Sequence, residues 1–109
     1  MKTLKFAQDL VLKILSGEKR ATWRLFDDKN LCVGDELILV SKENGDRFGT
    51  AKILTLKIKT LGTLEEQDWE GHEKFSSDEE MYAILKKYYG DGVNENSEAK
   101  ILTFDFFED

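Results

Sequence analysis

The pattern of hydrophobic and polar positions predicts that the chain begins with a helix and continues with strands. Apolar residues at positions 6, 10, 11, 14 and 15 recur with the period of an amphipathic helix, and Ser16-Gly17 is a suitable helix end. Residues 20–25 then alternate between polar and apolar, which is typical of a half-buried strand. A second strand is predicted at residues 36–40, where a turn leads into an apolar run.

The second half of the chain combines a long strand, an acidic segment and a closing strand. Asn44-Gly45 is a strong hairpin signal, and the β-rich stretch 47–61 follows it. Residues 63–80 hold eight acids and one Lys. Residues 63–66 predict the start of a short helix, and residues 76–80 predict the start of a second helix that continues to Tyr88. Residues 99–106 alternate as a last strand. Mostly antiparallel strands with peripheral helices predict a small α+β barrel.

Charge is distributed unevenly along this acidic chain. Its length of 109 residues fits one domain, residues 1–109. Its formal net charge of −6 excludes a polybasic binder of nucleic acid. Residues 1–24, however, hold six Lys/Arg and two acids. One basic segment therefore remains that can hold an anion.

The sequence carries no signal for a metal, a disulfide or a membrane span. Cys32 is the single Cys and is accompanied by one His, so neither an intramolecular disulfide nor a zinc site is expected. The N-terminus lacks the apolar run of a signal peptide, and no stretch is apolar for long enough to cross a membrane. We therefore expect a cytoplasmic protein without cofactor, metal or membrane partner.

Residues 17–24 form the most informative stretch for chemistry. If residues 20–25 are a regular strand, Arg20, Thr22 and Arg24 share one face, which suits a phosphate or carboxylate. Lys19 reaches that face only if the chain bends after Gly17, a residue that permits such a bend. On pattern alone, a strand with a solvated charged face is the favoured interpretation.

The same stretch resembles the signature of a known family. Gly17-x-Lys19-x-x-Thr22-x-Arg24 follows an amphipathic helix and precedes Gly34-Asp35, an arrangement similar to the motif of the ASCH domain family. Residues 68–75 and 100–104 resemble the acidic insert and the final strand of small bacterial members. The resemblance implies a PUA-like antiparallel β-barrel with an N-terminal helix and an acidic helical insert.

The resemblance also implies a site for RNA, single-stranded nucleic acid or a modified nucleoside, between the barrel and the insert. One bacterial branch resembles an amidohydrolase that removes the acetyl group from cytidine with a Lys, a Thr and a Glu. The matching positions are Lys19, Thr22 and Glu73, with Glu70 as the alternative acid. A Thr hydroxyl needs a base to become a nucleophile. Lys19 could be that base if burial favours its neutral form, although a nearby Glu would oppose this. The substrate-binding candidates are Arg20, Arg24, Glu70 and Trp69.

Two classes of function stay open from the sequence. The first is recognition of RNA or a nucleoside, with hydrolysis of an acylated cytidine as its enzymatic form. The second is a non-catalytic RNA-binding or interaction module. Arg24 could anchor a phosphate or pair with an acid of residues 65–73, and Trp69 could stack on a base or pack in the core.

Overall fold

The fold is built from one sheet and two α-helices. The computed structural model describes residues 1–26, 29–72 and 74–109. Its strands are β1 (Lys2–Phe6), β2 (Ala21–Leu25), β3 (Glu36–Ser41), β4 (Arg47–Thr60) and β5 (Glu98–Glu108). Its helices are α1 (Gln8–Ser16), α2 (Asp78–Tyr89) and the two short 3₁₀ helices Leu61–Thr63 and Glu66–Trp69.

The five strands lie in the order β1-β3-β4-β5-β2 and curl into a half-barrel. β1 pairs with β3 in parallel, and the other neighbours are antiparallel. The predicted α+β class and PUA-like barrel are thus confirmed. The sequence pattern did not predict β1, because Phe6 also fits the period of the helix that follows. Parallel pairing with β3 fixes residues 2–6 as a strand instead, and α1 begins only at Gln8.

Two hydrophobic clusters lie on opposite faces of the sheet. Leu102 and Phe104 of β5 lie on one face of the curved sheet, where Val11 and Ile14 of α1 belong to the same cluster. Ile101, one residue out of phase, faces the other way and belongs to the cluster that holds Met81 and Leu85 of α2. Each helix therefore covers a different face of the sheet. No helix of the described residues is both long enough and apolar enough to span a membrane.

The acidic insert, defined as residues 61–89, is attached to β4 through a buried carboxylate. Asp68 has a fully buried side chain that accepts from Lys59 Nζ at 2.9 Å and from the Glu65 amide at 2.8 Å, and it also pairs with Lys57. Burial opposes ionisation, but hydrogen bonds from the two lysines and the Glu65 amide outweigh it and lower the pKa of Asp68 to about 2. The ion pairs of Asp68 therefore attach the first part of the insert to β4. α2 follows, and its N-terminus is capped by Ser77 Oγ, which accepts from the Glu80 amide.

Candidate functional site

A cavity of about 490 Å³ opens between the two edge strands of the half-barrel, β1 and β2. These two strands do not pair with each other in the described part of the chain. α1 and α2 supply the other walls. Its lining includes Lys5, Asp9, Lys13, Lys19, Thr22, Trp23, Arg24, Lys42, His72, Phe75, Glu80 and Tyr88.

Lys19 and Thr22 are the two buried polar side chains on the cavity wall, with exposed fractions of 1% and 5%. Gly17 ends α1 in the left-handed region, at φ 89°, and the Lys19 amide then donates to Lys13 O at 3.1 Å. The bend that the sequence analysis required after Gly17 is therefore present. It lets Lys19 reach the cavity before β2 begins at Ala21, so strand parity does not govern this residue.

Arg24 lies at the place where the two edge strands approach. Its Nη2 donates to Lys5 O of β1 at 3.1 Å, and its guanidinium carbon lies 4.8 Å from the centroid of the Phe6 ring. Arg24 thus links β2 to β1 through its side chain while also lining the cavity. This contact holds the half-barrel together at its open side.

Arg20 lies away from the cavity, although it was expected to share a face with Thr22 and Arg24. Its Nη1 donates to Ile14 O at 2.8 Å and to Lys19 O at 2.9 Å, and its guanidinium lies over the Phe106 ring. The reason is that β2 begins one residue later and that the carbonyl groups at the end of α1 attract a cation. Its observed contacts are those of a residue that caps α1.

Aromatic rings cover the β2 end of the cavity. His72 stacks on Trp23 with 4.1 Å between ring centroids and 16° between planes, and Trp23 Nε1 donates to Asp68 O at 3.3 Å. The alternation of polar and apolar residues in β2 puts Trp23 on the face opposite Thr22. Trp23 is buried, but it also lines the cavity. His72 was not among the site residues expected from the sequence, because nothing local shows that the insert folds back onto Trp23.

Trp69 and Glu70, two further candidates of the insert, do not line this cavity. Trp69 contacts Trp23 edge-to-face at 4.5 Å and lines, together with Glu70, a separate depression of about 300 Å³. Trp69 therefore packs behind the wall that Trp23 and His72 form. Glu73, the expected catalytic acid, lies outside the described residues. Among the residues that the structure does describe, no group of three or more His, Cys, Asp or Glu could hold a metal ion.

The described cavity wall is cationic although the chain is acidic. Six Lys or Arg side chains and two acids line it, whereas the whole chain has a net charge of −6. Lys42, in the turn after β3, has its Nζ 5.3 Å from the centroid of Tyr88 on α2, so barrel and insert meet at the rim. Sequence reasoning missed Lys5, Lys13 and Lys42 because they come from separate elements that only the fold brings together.

Comparisons with known proteins support the fold. No family model and no curated protein matches the chain, whereas seven solved chains do. A protein of the DUF984 family from Enterococcus faecalis V583 superposes with a TM-score of 0.80 at 15% identity, over 98% of this chain and 80% of that one. An ASCH domain from Lactobacillus crispatus gives 0.71 at 16% identity over 99% and 80% of the two chains, and an ASCH protein from Zymomonas mobilis gives 0.65 at 12% over 94% and 65%. The predicted resemblance to the ASCH domain family is therefore confirmed at the level of the fold, and this chain has an ASCH-like, PUA-like architecture.

Proposed function

We propose that this chain recognises RNA or a modified nucleoside in the cavity between β1 and β2. One observation carries the proposal: two buried polar side chains, Lys19 and Thr22, line a cavity of about 490 Å³ with a cationic wall in a chain of net charge −6. A cation and a hydroxyl that are excluded from bulk water bind a polar ligand more strongly than surface groups do.

The chemistry of the walls suits a nucleobase joined to a polar group. Trp23 and His72 form a stacked pair at one end, and the exposed Tyr88 ring lies at the rim. Bases bind to proteins by stacking on aromatic rings and by hydrogen bonds to their edges. The cavity volume lies in the range that holds one small ligand, so it accommodates one nucleotide unit rather than a duplex.

The charge outside the cavity favours the same class of ligand. Residues 63–80, which are part of the insert that borders the cavity, carry eight acids and one Lys. Such a surface repels the closely spaced phosphates of a duplex. A single strand, a flipped-out base or a free nucleoside places little of its charge against that surface.

The test is a titration that reports on the cavity. Cytidine, acetylated cytidine and short single-stranded RNA are added to the protein while amide chemical shifts are recorded. We expect the shifts to concentrate at residues 19–24 and 72–75. Thr22→Val, which removes only a hydroxyl, should weaken binding, while Thr50→Val on β4 is the matched control. Binding that perturbs other surfaces, or that Thr22→Val leaves unchanged, contradicts the proposal.

Hydrolysis of an acylated cytidine is the second candidate, and the shared location of Lys19 and Thr22 favours it. In this reaction Thr22 Oγ1 attacks the amide carbonyl and passes its proton to Lys19. The C–N bond then breaks as Lys19 returns this proton to the leaving amine of cytidine, and water hydrolyses the acyl–Thr22 ester, which releases the acid and restores the hydroxyl. Arg24, at the same wall, is placed to bind the substrate rather than to react.

An assay of acid release separates the enzyme from the binding module. Acetylated cytidine should yield acetate and cytidine, and both Thr22→Ala and Lys19→Met should abolish the release. Lys19→Met keeps most of the buried volume, so its folding can be verified by thermal unfolding. Binding of nucleoside or RNA without any release by the unaltered protein would identify a non-catalytic module instead.

A further inference from the structure

We propose that the ligand of this cavity carries a phosphate and that Lys5, Lys13 and Lys42 bind it. This inference rests on the proposed function and specifies its ligand: a nucleotide unit is preferred to an unphosphorylated nucleoside. The phosphate can belong to a mononucleotide, where it is largely dianionic, or to the backbone of a single strand, where it is monoanionic. Both present negatively charged oxygens to the lysines.

Backbone contacts bring the three lysines to one side of the cavity. Lys5 pairs with Val40 in the β1–β3 ladder, and the Lys42 amide donates to Phe6 O at 2.8 Å. Lys13 lies in the last turn of α1, which follows β1 directly. All three line the cavity from the side formed by β1, α1 and the end of β3. The rings of Trp23 and His72 come from β2 and the insert, on the other side of the cavity, where Arg24 and Lys74 also line it.

No described acid forms an ion pair with any of the three lysines, although Lys42 attracts the neighbouring Glu43 carboxylate at longer range. Within residues 1–26, 29–72 and 74–109, the ion pairs of the fold involve other cations, and none of Lys5, Lys13 or Lys42 takes part in one. Asp9, one turn before Lys13, is the acid nearest in sequence on this wall, and Glu80 belongs to α2, where it accepts from Ser76 Oγ. Three ammonium groups that face one space without ion-pair partners repel one another, and an anion between them relieves that repulsion.

The arrangement also explains why a nucleotide is favoured over a nucleoside that lacks a phosphate. A nucleoside can stack on the rings of Trp23 and His72 but presents no charge to Lys5, Lys13 and Lys42. A phosphate on its ribose adds charge-assisted hydrogen bonds from flexible lysine side chains, which act as point charges and tolerate small differences in phosphate position. The same tolerance suits a terminal phosphate and a backbone phosphate.

Isothermal titration of the full chain with four probes tests the inference: cytidine, cytidine 5′-monophosphate, cytidine 3′-monophosphate and a short single-stranded RNA. At low salt, we expect at least one phosphorylated probe to bind roughly ten-fold more tightly than cytidine, because several phosphate contacts of up to about five-fold each contribute. Added salt should lower the affinity of the phosphorylated probes and leave the affinity of cytidine unchanged. A mononucleotide as tight as the RNA identifies a free nucleotide as the ligand, and a tighter RNA identifies a strand.

Lys13→Gln and Lys5→Gln should each reduce nucleotide affinity several-fold without changing cytidine binding. Lys52→Gln, an exposed change on β4 with the same loss of charge outside the cavity, is the control for the net charge of the chain. Equal affinity for cytidine and both monophosphates, or equal effects of Lys13→Gln and Lys52→Gln, overturns the phosphate inference while the proposed function stands. Absence of binding by all four probes and by acetylated cytidine overturns the proposed function itself.

Discussion

Replacement of Asp68 by Asn should destabilise the fold in a manner that depends on pH. Asp68 is buried, and its carboxylate accepts from Lys59 and the Glu65 amide and pairs with Lys57. These contacts lower its pKa from 3.8 to about 2. A shift of that size corresponds to about 2 kcal/mol of differential stability between the folded and unfolded states.

The direction of the pH dependence follows from the lowered pKa. Because the folded chain holds the carboxylate in its charged form, the contribution of Asp68 is complete above the unfolded pKa of 3.8 and is lost as the pH falls through about 2. Asp68→Asn removes that contribution at every pH. The mutant should therefore be about 2 kcal/mol less stable than the unaltered chain near neutral pH and close to it near the lower pKa.

Urea unfolding at a series of pH values measures this difference. Asp105→Asn, an exposed change on β5 that removes the same charge, is the control and should alter stability by less than about 0.5 kcal/mol. A loss of stability in Asp68→Asn that is the same near neutral pH and near the lower pKa would refute the argument. It would mean that packing of the side chain, rather than its ionisation, stabilises the insert.

Three further substitutions test the fold. Gly49→Ala should cost about 1–3 kcal/mol in thermal unfolding, since its Cβ would lie 2.5 Å from a ring of β5, whereas Gly92→Ala meets nothing within 4 Å and should be tolerated. Arg24→Gln removes the 3.1 Å bond to β1 and should speed hydrogen exchange of the β1 amides; unchanged exchange there would show that the side-chain link between the edge strands contributes nothing. Ser77→Ala should lower the unfolding free energy by about 1 kcal/mol through loss of the N-cap of α2, and an unchanged midpoint in urea would contradict that role.

Most elements of the fold could be predicted from local pattern. The helical period gave α1, and alternation or apolar runs gave β2, β3, β4 and β5, because these segments bury one face or lie in a core. The exception is β1, because its last residue, Phe6, also fits the period of the helix α1 that follows it. A short strand of this kind is defined by its partner, and the partner β3 lies about thirty residues further along the chain.

The candidate site divides in the same way. Lys19, Thr22 and Arg24 lie within one short motif, so the sequence could group them, and the structure places all three on the cavity. Arg20 belongs to the same motif but caps α1, because the strand begins one residue after it. Trp69 and Glu70 line a neighbouring depression, since the 3₁₀ helix before Glu70 turns its residues away from the cavity.

The sequence by itself determined most of the helices and strands, with β1 as the exception. It also determined that the charge is divided between a basic start and an acidic insert, and it grouped Lys19, Thr22 and Arg24 in one motif. Only the tertiary structure decided where that charge acts. Lys5, Lys13, Lys42 and His72 come from separate elements and line one cavity, because β1 pairs in parallel with β3 and the insert docks on Trp23. Contacts between distant segments depend on the packing of whole elements, and local periodicity contains no record of that packing.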